Sequence, residues 1–408
     1  MDSVKMLKRE TLWAYVATRV LDTPFWGLYN LLFFILYKDL GATPFQIALL
    51  VMLKPLTSFF AMYWSSSVRG RRDRLVGNLL WARILSYVPF FFVPFIDTPW
   101  FFIAIYGLYM MLSVGMVPAW MELLKLHLPK ETREKTFAYT QAFGYMGGGL
   151  LPFVIGGLLD SYTQAWRWLF PIVALIGLLP LLFQRRIRVD VDSLPLEEPL
   201  NLAGKIKEPW TQAFGLLKER IDFRKFQVGF FLLGSGLMIL QPALPAFFVD
   251  VLNLSYTELS IAITLCKGIG FALAAPLWTR TLGKSDLFPF SSLIAALACL
   301  FPLCLLLAST ELLWLYGAYL LYGLVQAGSE LSWNMSGPIF SKDQDSSLFS
   351  SVNIIFVGLR GALIPTLGSL LVTHGSSPLA MLGSVLFCLA ASFTLAHFAR
   401  QNLTEKAG

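Results

Sequence analysis

Charge is scarce in this chain: Asp, Glu, Lys and Arg make up 14% of its 408 residues, against roughly 25% in a soluble domain. Histidine occurs three times and cysteine four. His127, His374 and His397 are scattered at helix ends or in loops, and Cys266, Cys299, Cys304 and Cys388 all fall within apolar runs. That pattern offers no metal-ligand spacing and no disulfide framework, so neither a metal nor a cofactor is expected. A GxxxxGK sequence followed by Ser or Thr is also missing, which excludes that route to ATP. Without a His/Asp set or large catalytic loops an enzyme is not expected, and an integral membrane transferase is a remote alternative.

What is abundant is apolar sequence: 56% of the residues are hydrophobic. Crossing a hydrocarbon core of about 30 Å takes roughly 20 apolar residues in a helix. Twelve runs qualify, at about 11–36, 45–67, 77–96, 100–122, 136–159, 168–183, 227–249, 257–279, 287–308, 312–333, 349–371 and 379–398. The expectation is an all-α, polytopic membrane protein of twelve transmembrane helices. The first run is too long for a signal peptide and has no small-residue cleavage site, so it reads as the first span. Of the 32 Lys and Arg, all but seven fall on one side of these spans; Lys38 and Arg167 lie opposite, and Arg19, Lys54, Arg83, Lys267 and Arg360 lie within them. Basic residues stay on the cytoplasmic side during insertion, which places both termini in the cytoplasm. The net charge of +7 then reflects short inner loops, and nucleic acid is not an expected partner. The short outer loops suit a bacterial-type inner membrane, and a monomer is expected.

Sliding the chain on itself by 213 residues pairs Tyr106 with Tyr319, Tyr109 with Tyr322, Gly115 with Gly328, Trp120 with Trp333, Gly148 with Gly361, Pro152 with Pro365 and Lys54 with Lys267. This predicts two pseudo-symmetric six-helix bundles, 1–183 and 227–408, enclosing a midplane site that rocking exposes to each side in turn. The segment 184–226 between them is charged, contains Pro195, Pro199 and Pro209, and carries Trp210, Ala213, Phe214, Leu217 and Ile221 at helical spacing. It reads as a cytoplasmic strap with an amphipathic surface helix.

An ionised group at the bilayer centre costs about 2.5–3.5 kcal/mol or more, so each one needs a reason. Counted from the span ends, Lys54, Lys267 and Arg360 reach about 14–18 Å deep. Arg19 and Asp22 share one face of the first helix. They are either a buried ion pair or a proton-coupling device in which Asp22 alternates between partners and a proton. Arg83, near the inner end of its helix, reads as a snorkelling residue. Glu330 is a candidate proton site or gate partner. The deep cations Arg19, Lys54, Lys267 and Arg360 exceed Asp22 by three charges, which an anionic substrate would compensate. Trp26 and Tyr29, near Asp22, are candidate stacking partners for it. Gln141, Gln241, Gln326 and Asn353 are either interhelical bridges or substrate contacts. Gly148, Pro152, Gly361 and Pro365 are candidates for close packing or for hinges.

The run LPKETREKTF (Leu128 to Phe137) resembles the loop between the fourth and fifth helices of the major facilitator superfamily, and WRWLF (Trp166 to Phe170) resembles its entry to helix six. The series Gly147, Gly148, Gly149, Pro152, Gly156, Gly157 is similar to the Gly/Pro-rich fifth helix of the family's antiporters, although Leu151, not Gly, precedes Pro152. The loop at Ser65–Arg72 carries no acid where the family has an Asp-Arg pair. The resemblance implies a secondary active transporter working by alternating access on a small organic solute, here an anion, with protons as the candidate coupling ion. Efflux of lipophilic or drug-like compounds is the alternative.

Overall fold

The computed structural model describes residues 2–68, 74–189, 202–341 and 347–407. Pro195 and Pro199 of the strap, the stretch Arg69–Arg72 and the side chain of Gln141 lie outside the described residues. Apart from the strap helix Leu202–Glu219, the described residues form twelve long helices in succession: α1 Met6–Asp39, α2 Pro44–Val68, α3 Leu75–Phe95, α4 Pro99–His127, α5 Lys130–Ser161, α6 Trp166–Gln184, α7 Ile221–Val251, α8 Tyr256–Leu282, α9 Leu287–Leu307, α10 Leu313–Ser341, α11 Ser347–His374 and α12 Ser377–Ala407. Among the described residues nine of these helices hold stretches long and apolar enough to cross a membrane. In α2 and α5 the described apolar stretches are Pro44–Thr57 and Gly147–Ser161. Helix α10 has the length, but its tyrosines, glycines and polar residues dilute its apolarity.

By contacts the chain divides into two compact units, Met1–Gly41 with Thr57–Leu200, and Ala42–Leu56 with Asn201–Gly408. The first half of α2 therefore groups with the second unit, where Pro55 abuts Gly361 of α11 and the Thr366 hydroxyl donates to the Met52 sulfur at 3.5 Å. In the first unit α3 packs along α4 and α1 along α5; Ala14, Tyr15, Leu79, Leu112, Ala119 and Leu123 form part of its core. In the second unit α7 packs on α12 and α11, and α8 on α10.

The internal repeat is visible in the backbone, with a step the single 213-residue offset misses. Both α1 and α7 end in a π-helical turn, Ile35–Asp39 and Phe247–Val251, 212 apart. Each is followed by a left-handed residue, Gly41 (φ 64°) or Asn253 (φ 51°). Next comes a reciprocal cap, Thr43 with Gln46 or Ser255 with Glu258, again 212 apart. The offset becomes 213 at Lys54 and Lys267. Between these markers α8 has a second π-helical segment, Ile261–Cys266, where α2 is regular α-helix. A π-turn absorbs one extra residue without changing the register on either side, so one inserted residue accounts for both the step and the bulge. Deleting Ile263 should therefore cost less than about 1 kcal/mol, a Tm change of a few degrees. Deleting Leu273, in the regular part of α8, should turn the rest of the helix by about 100° and detach the Trp278 indole from the Leu324 carbonyl it holds at 2.8 Å. Melting curves of the two purified variants test this.

The strap helix, Leu202–Glu219, corrects one expectation. Ala213 and Leu216 are its buried residues, with Trp210 and Leu217 half-buried, while Phe214 is 68% exposed. Ile221 is not on this helix, because the chain breaks at Arg220 (φ −103°, ψ 84°) before α7 begins. The helix lies along α11 and α7. The 3.6-residue period puts Ala213, Leu216 and Leu217 on one face, and Phe214 falls outside it.

Candidate functional site

In the first unit the site begins with a break in α1. Pro24 has no N–H and its ring interferes with the preceding turn, so the helix divides at Asp22 into Asp2–Leu21 and Thr23–Phe34. The Asp22 carboxylate does not pair with Arg19. It takes a forked pair of hydrogen bonds from Arg83 of α3, at 2.8 and 3.1 Å, and one from the Tyr87 hydroxyl at 2.8 Å. Arg83 is fully buried and also donates to the Gly177 carbonyl of α6 at 2.5 Å. Its snorkelling assignment is thus overturned: a guanidinium that finds a carboxylate and a carbonyl inside the bundle has no need to reach the headgroups. Arg19 turns the other way, its Nε donating to the Tyr15 hydroxyl at 3.2 Å, with the guanidinium 5.5 Å from that ring. Long helical side chains point toward the N-terminus of their helix, so Arg19 reaches the residue four before it rather than Asp22. The signal for Arg83 was present in the sequence, as an arginine inside an apolar run one turn before a tyrosine.

Above this ion pair sits an aromatic cluster. Phe25 is in ring contact with Tyr87, Phe90 and Tyr109. Tyr29 stacks on Tyr106 at 4.7 Å, and Trp26 meets the edges of Tyr29 at 5.4 Å and Tyr109 at 6.3 Å. The two proposed stacking residues, Trp26 and Tyr29, are half-buried, whereas Tyr106 and Tyr109 are core.

The second unit holds the lysines. Lys267 follows directly on the π-helical turn of α8, and its Nζ lies 5.3 Å from the centre of the Tyr322 ring on α10. Lys54 and Glu330 are the charged groups near enough to act on it electrostatically. Glu330 accepts a hydrogen bond from the Gln326 amide at 2.9 Å. The α8–α10 pair can bring these groups together because Gly323 of α10 abuts the Lys267 carbonyl and Gly270 of α8 abuts the Leu320 carbonyl. Lys54 is exposed and Lys267 half-buried.

Arg360 stands apart from the lysines. It is 7% exposed, donates to the Phe230 carbonyl at 3.0 Å, and packs its guanidinium on the Phe230 ring and on Gly234 of α7. Among the described residues its Nε has no hydrogen-bond partner, and no carboxylate forms an ion pair with Arg360 or Lys267. The expected contact of Arg360 with an open site is not what the structure places there; the side chain is wedged between α11 and α7. Position 147 is the counterpart of 360, and there the bulk is reversed: Gly147 of α5 makes room for Thr23 of α1.

The glycines and prolines divide in the same way. Gly361 is a close-packing position against Pro55, and Pro152 lies against Gly27, while the space beside Gly148 is open. Pro365 is buried. Asn353 is an interhelical bridge, bonded to Gln227 of α7 and to the Ser336 hydroxyl of α10, and Gln241 bonds its own helix at the Leu237 carbonyl. Among the described residues no cluster of His, Cys, Asp and Glu could hold a metal, and the four cysteines are free.

Comparison with known proteins places this arrangement. The sequence pattern of the Major Facilitator Superfamily matches residues 17–340. Among solved structures, a POT family transporter in complex with 5-aminolevulinic acid is 13% identical, with 96% of each chain covered and a TM-score of 0.73. The nucleoside transporter NupG is 13% identical over 96% of this chain and 98% of its own, with a TM-score of 0.72. A bacterial homologue of the human lysosomal transporter Spinster, inward-facing and unoccupied, is 15% identical over 98% of each chain, with a TM-score of 0.66. At such identities these likenesses establish the fold. No curated protein matches the chain in sequence.

Proposed function

Because the chain belongs to the major facilitator superfamily, a family of secondary transporters, we propose that it carries a small organic anion across the membrane by alternating access. The observation behind this reading is the placement of three deep cations in one unit. Lys54 and Lys267 are electrostatic neighbours, and Gly361, next to Arg360, abuts Pro55, next to Lys54. Among the described residues Glu330 is the carboxylate that acts on Lys267. Lys54 and Lys267 are accessible, and in this reading they bind the anion as point charges. Arg360 holds α11 to α7. Trp26 and Tyr29, in the first unit, present half-buried ring faces.

Protons are the coupling ion in this proposal, with Glu330 the group that exchanges them. Asp22 is less suited, because its carboxylate is already engaged by three hydrogen bonds from Arg83 and Tyr87. The orientation follows from the distribution of Lys and Arg: both termini cytoplasmic, in a bacterial-type inner membrane, with 184–226 as the strap between the six-helix halves 1–183 and 227–408.

The test is a ligand-stabilisation screen on detergent-purified protein with anionic, neutral and cationic metabolites, since a ligand that binds the folded state raises its apparent stability. Anions should raise Tm, Lys54→Gln and Lys267→Gln should each weaken that binding about tenfold, and Glu330→Gln should remove its pH dependence while leaving binding intact. Stabilisation by lipophilic or cationic compounds alone, unchanged in both lysine variants, would refute the anion reading and favour export of such compounds.

A further inference from the structure

A second site lies where the start of α1 meets the end of α6. Met6, Arg9, Glu10, Trp13, Phe183 and Arg186 line a pocket of about 390 Å³ there. Its chemistry is divided. Two guanidiniums, Arg9 and Arg186, are exposed and have no ion-pair partner among the described residues. Glu10 is half-buried, and its Oε2 is shielded from solvent without a hydrogen-bond donor among the described residues. Beside them Met6, Trp13 and Phe183 are 48%, 56% and 36% exposed. The wall is secured from beneath, where the Gln184 amide of α6 donates to the Thr18 hydroxyl of α1 at 2.8 Å.

An orphaned carboxylate oxygen asks for a donor, and an ammonium is the strongest one available. A pair of guanidiniums asks for a phosphate, which they bind in forked geometry. Exposed Trp, Met and Phe at the end of a membrane-spanning helix lie at the depth where headgroup gives way to acyl chain. One molecule meets all three demands: a phospholipid with a primary ammonium in its headgroup. We propose that this pocket is a specific site for an ethanolamine-type phospholipid, bridging α1 and α6 of the first unit. A glycerol headgroup fits less well, because its hydroxyls offer Glu10 only neutral donors, weaker than an ammonium. A choline headgroup satisfies the guanidiniums but has no N–H for Glu10.

The site is independent of the substrate reading above and is tested separately. The full-length protein, purified in detergent, is titrated with phosphatidylethanolamine, phosphatidylcholine and phosphatidylglycerol, and with soluble glycerophosphoethanolamine, and bound lipid is read by native mass spectrometry. Wild-type protein should retain the ethanolamine lipid about tenfold more tightly than the other two, the worth of one charge-assisted hydrogen bond. Glu10→Gln should erase that preference while leaving choline-lipid binding unchanged. Arg9→Gln with Arg186→Gln should weaken all three lipids, and Trp13→Ala should weaken the lipids without affecting the soluble headgroup. Equal retention of the three lipids by wild-type protein overturns the proposal before any variant is made. Binding of glycerophosphoethanolamine as tight as that of the lipid overturns it too, and would identify a site for a free phosphodiester.

Discussion

Replacing Asp22 with alanine should destabilise the protein by about 3–5 kcal/mol, the usual cost of leaving a buried charge without its partner. Arg83 is the residue left behind. It is fully buried, and two of its hydrogen bonds go to Asp22; only the Gly177 carbonyl would remain. The Tyr87 hydroxyl loses its acceptor in the same change. Arg83→Met alone should cost less than Asp22→Ala, because the carboxylate is 18% exposed and can recruit water. The double variant Asp22→Leu, Arg83→Met should recover much of the loss, since removing both charges removes the desolvation cost along with the attraction. Arg19→Gln should have little effect on stability. Had Arg19 been the partner of Asp22, the ranking of Arg19→Gln and Arg83→Met would be reversed. Thermal inactivation half-lives of the four purified variants decide the matter, and half-life is the appropriate measure where unfolding is irreversible.

Gly323→Leu should be as damaging, and it should harm the lysine site directly. A side chain at Gly323 runs into the Lys267 carbonyl and the Phe271 amide nitrogen, both backbone, so no rotamer change relieves it. Overpacking costs about 1–3 kcal/mol where side chains can shift, and more where they cannot. The alternative to unfolding is separation of α8 from α10, which takes the Lys267 ammonium off the Tyr322 ring. Either way anion-dependent stabilisation should disappear. Gly317→Ala on the same helix, where the space is open, should stay within about 0.5 kcal/mol of wild type. A Gly323→Leu protein that melts normally and still binds anions would show that the two helices are not held by this contact.

Much of the architecture was legible in the chain. Twelve apolar runs gave the twelve helices because the requirement is one of length and composition, and both are read locally. The family followed from short motifs at helix junctions and is borne out by the pattern matching residues 17–340. The repeat was legible through rare residue types, Lys54 with Lys267 and Trp120 with Trp333, although the single offset concealed an inserted residue that appears only as the π-turn at Ile261–Cys266. The partners of the buried charges were a different matter. Sequence spacing suggested Arg19 for Asp22, and the structure supplied Arg83, sixty-one residues away. Likewise Arg360 looked like a lysine-like cavity residue and proved to be wedged against Gly234.

The sequence by itself determined that this protein spans a membrane, that it is all helical, and that its two halves are related. Those properties sum over many residues, and each residue contributes through its own solvation or its own place in a helix. The tertiary structure alone decided which charge answers which, that Asp22 belongs to Arg83, and that the Lys267 ammonium lies over the Tyr322 ring. It also decided that Glu10 keeps an oxygen with no donor among the described residues. Pairing depends on where a helix bends and where glycine lets two backbones touch, and on the direction in which a long side chain leaves its helix. No local window of sequence contains those distances.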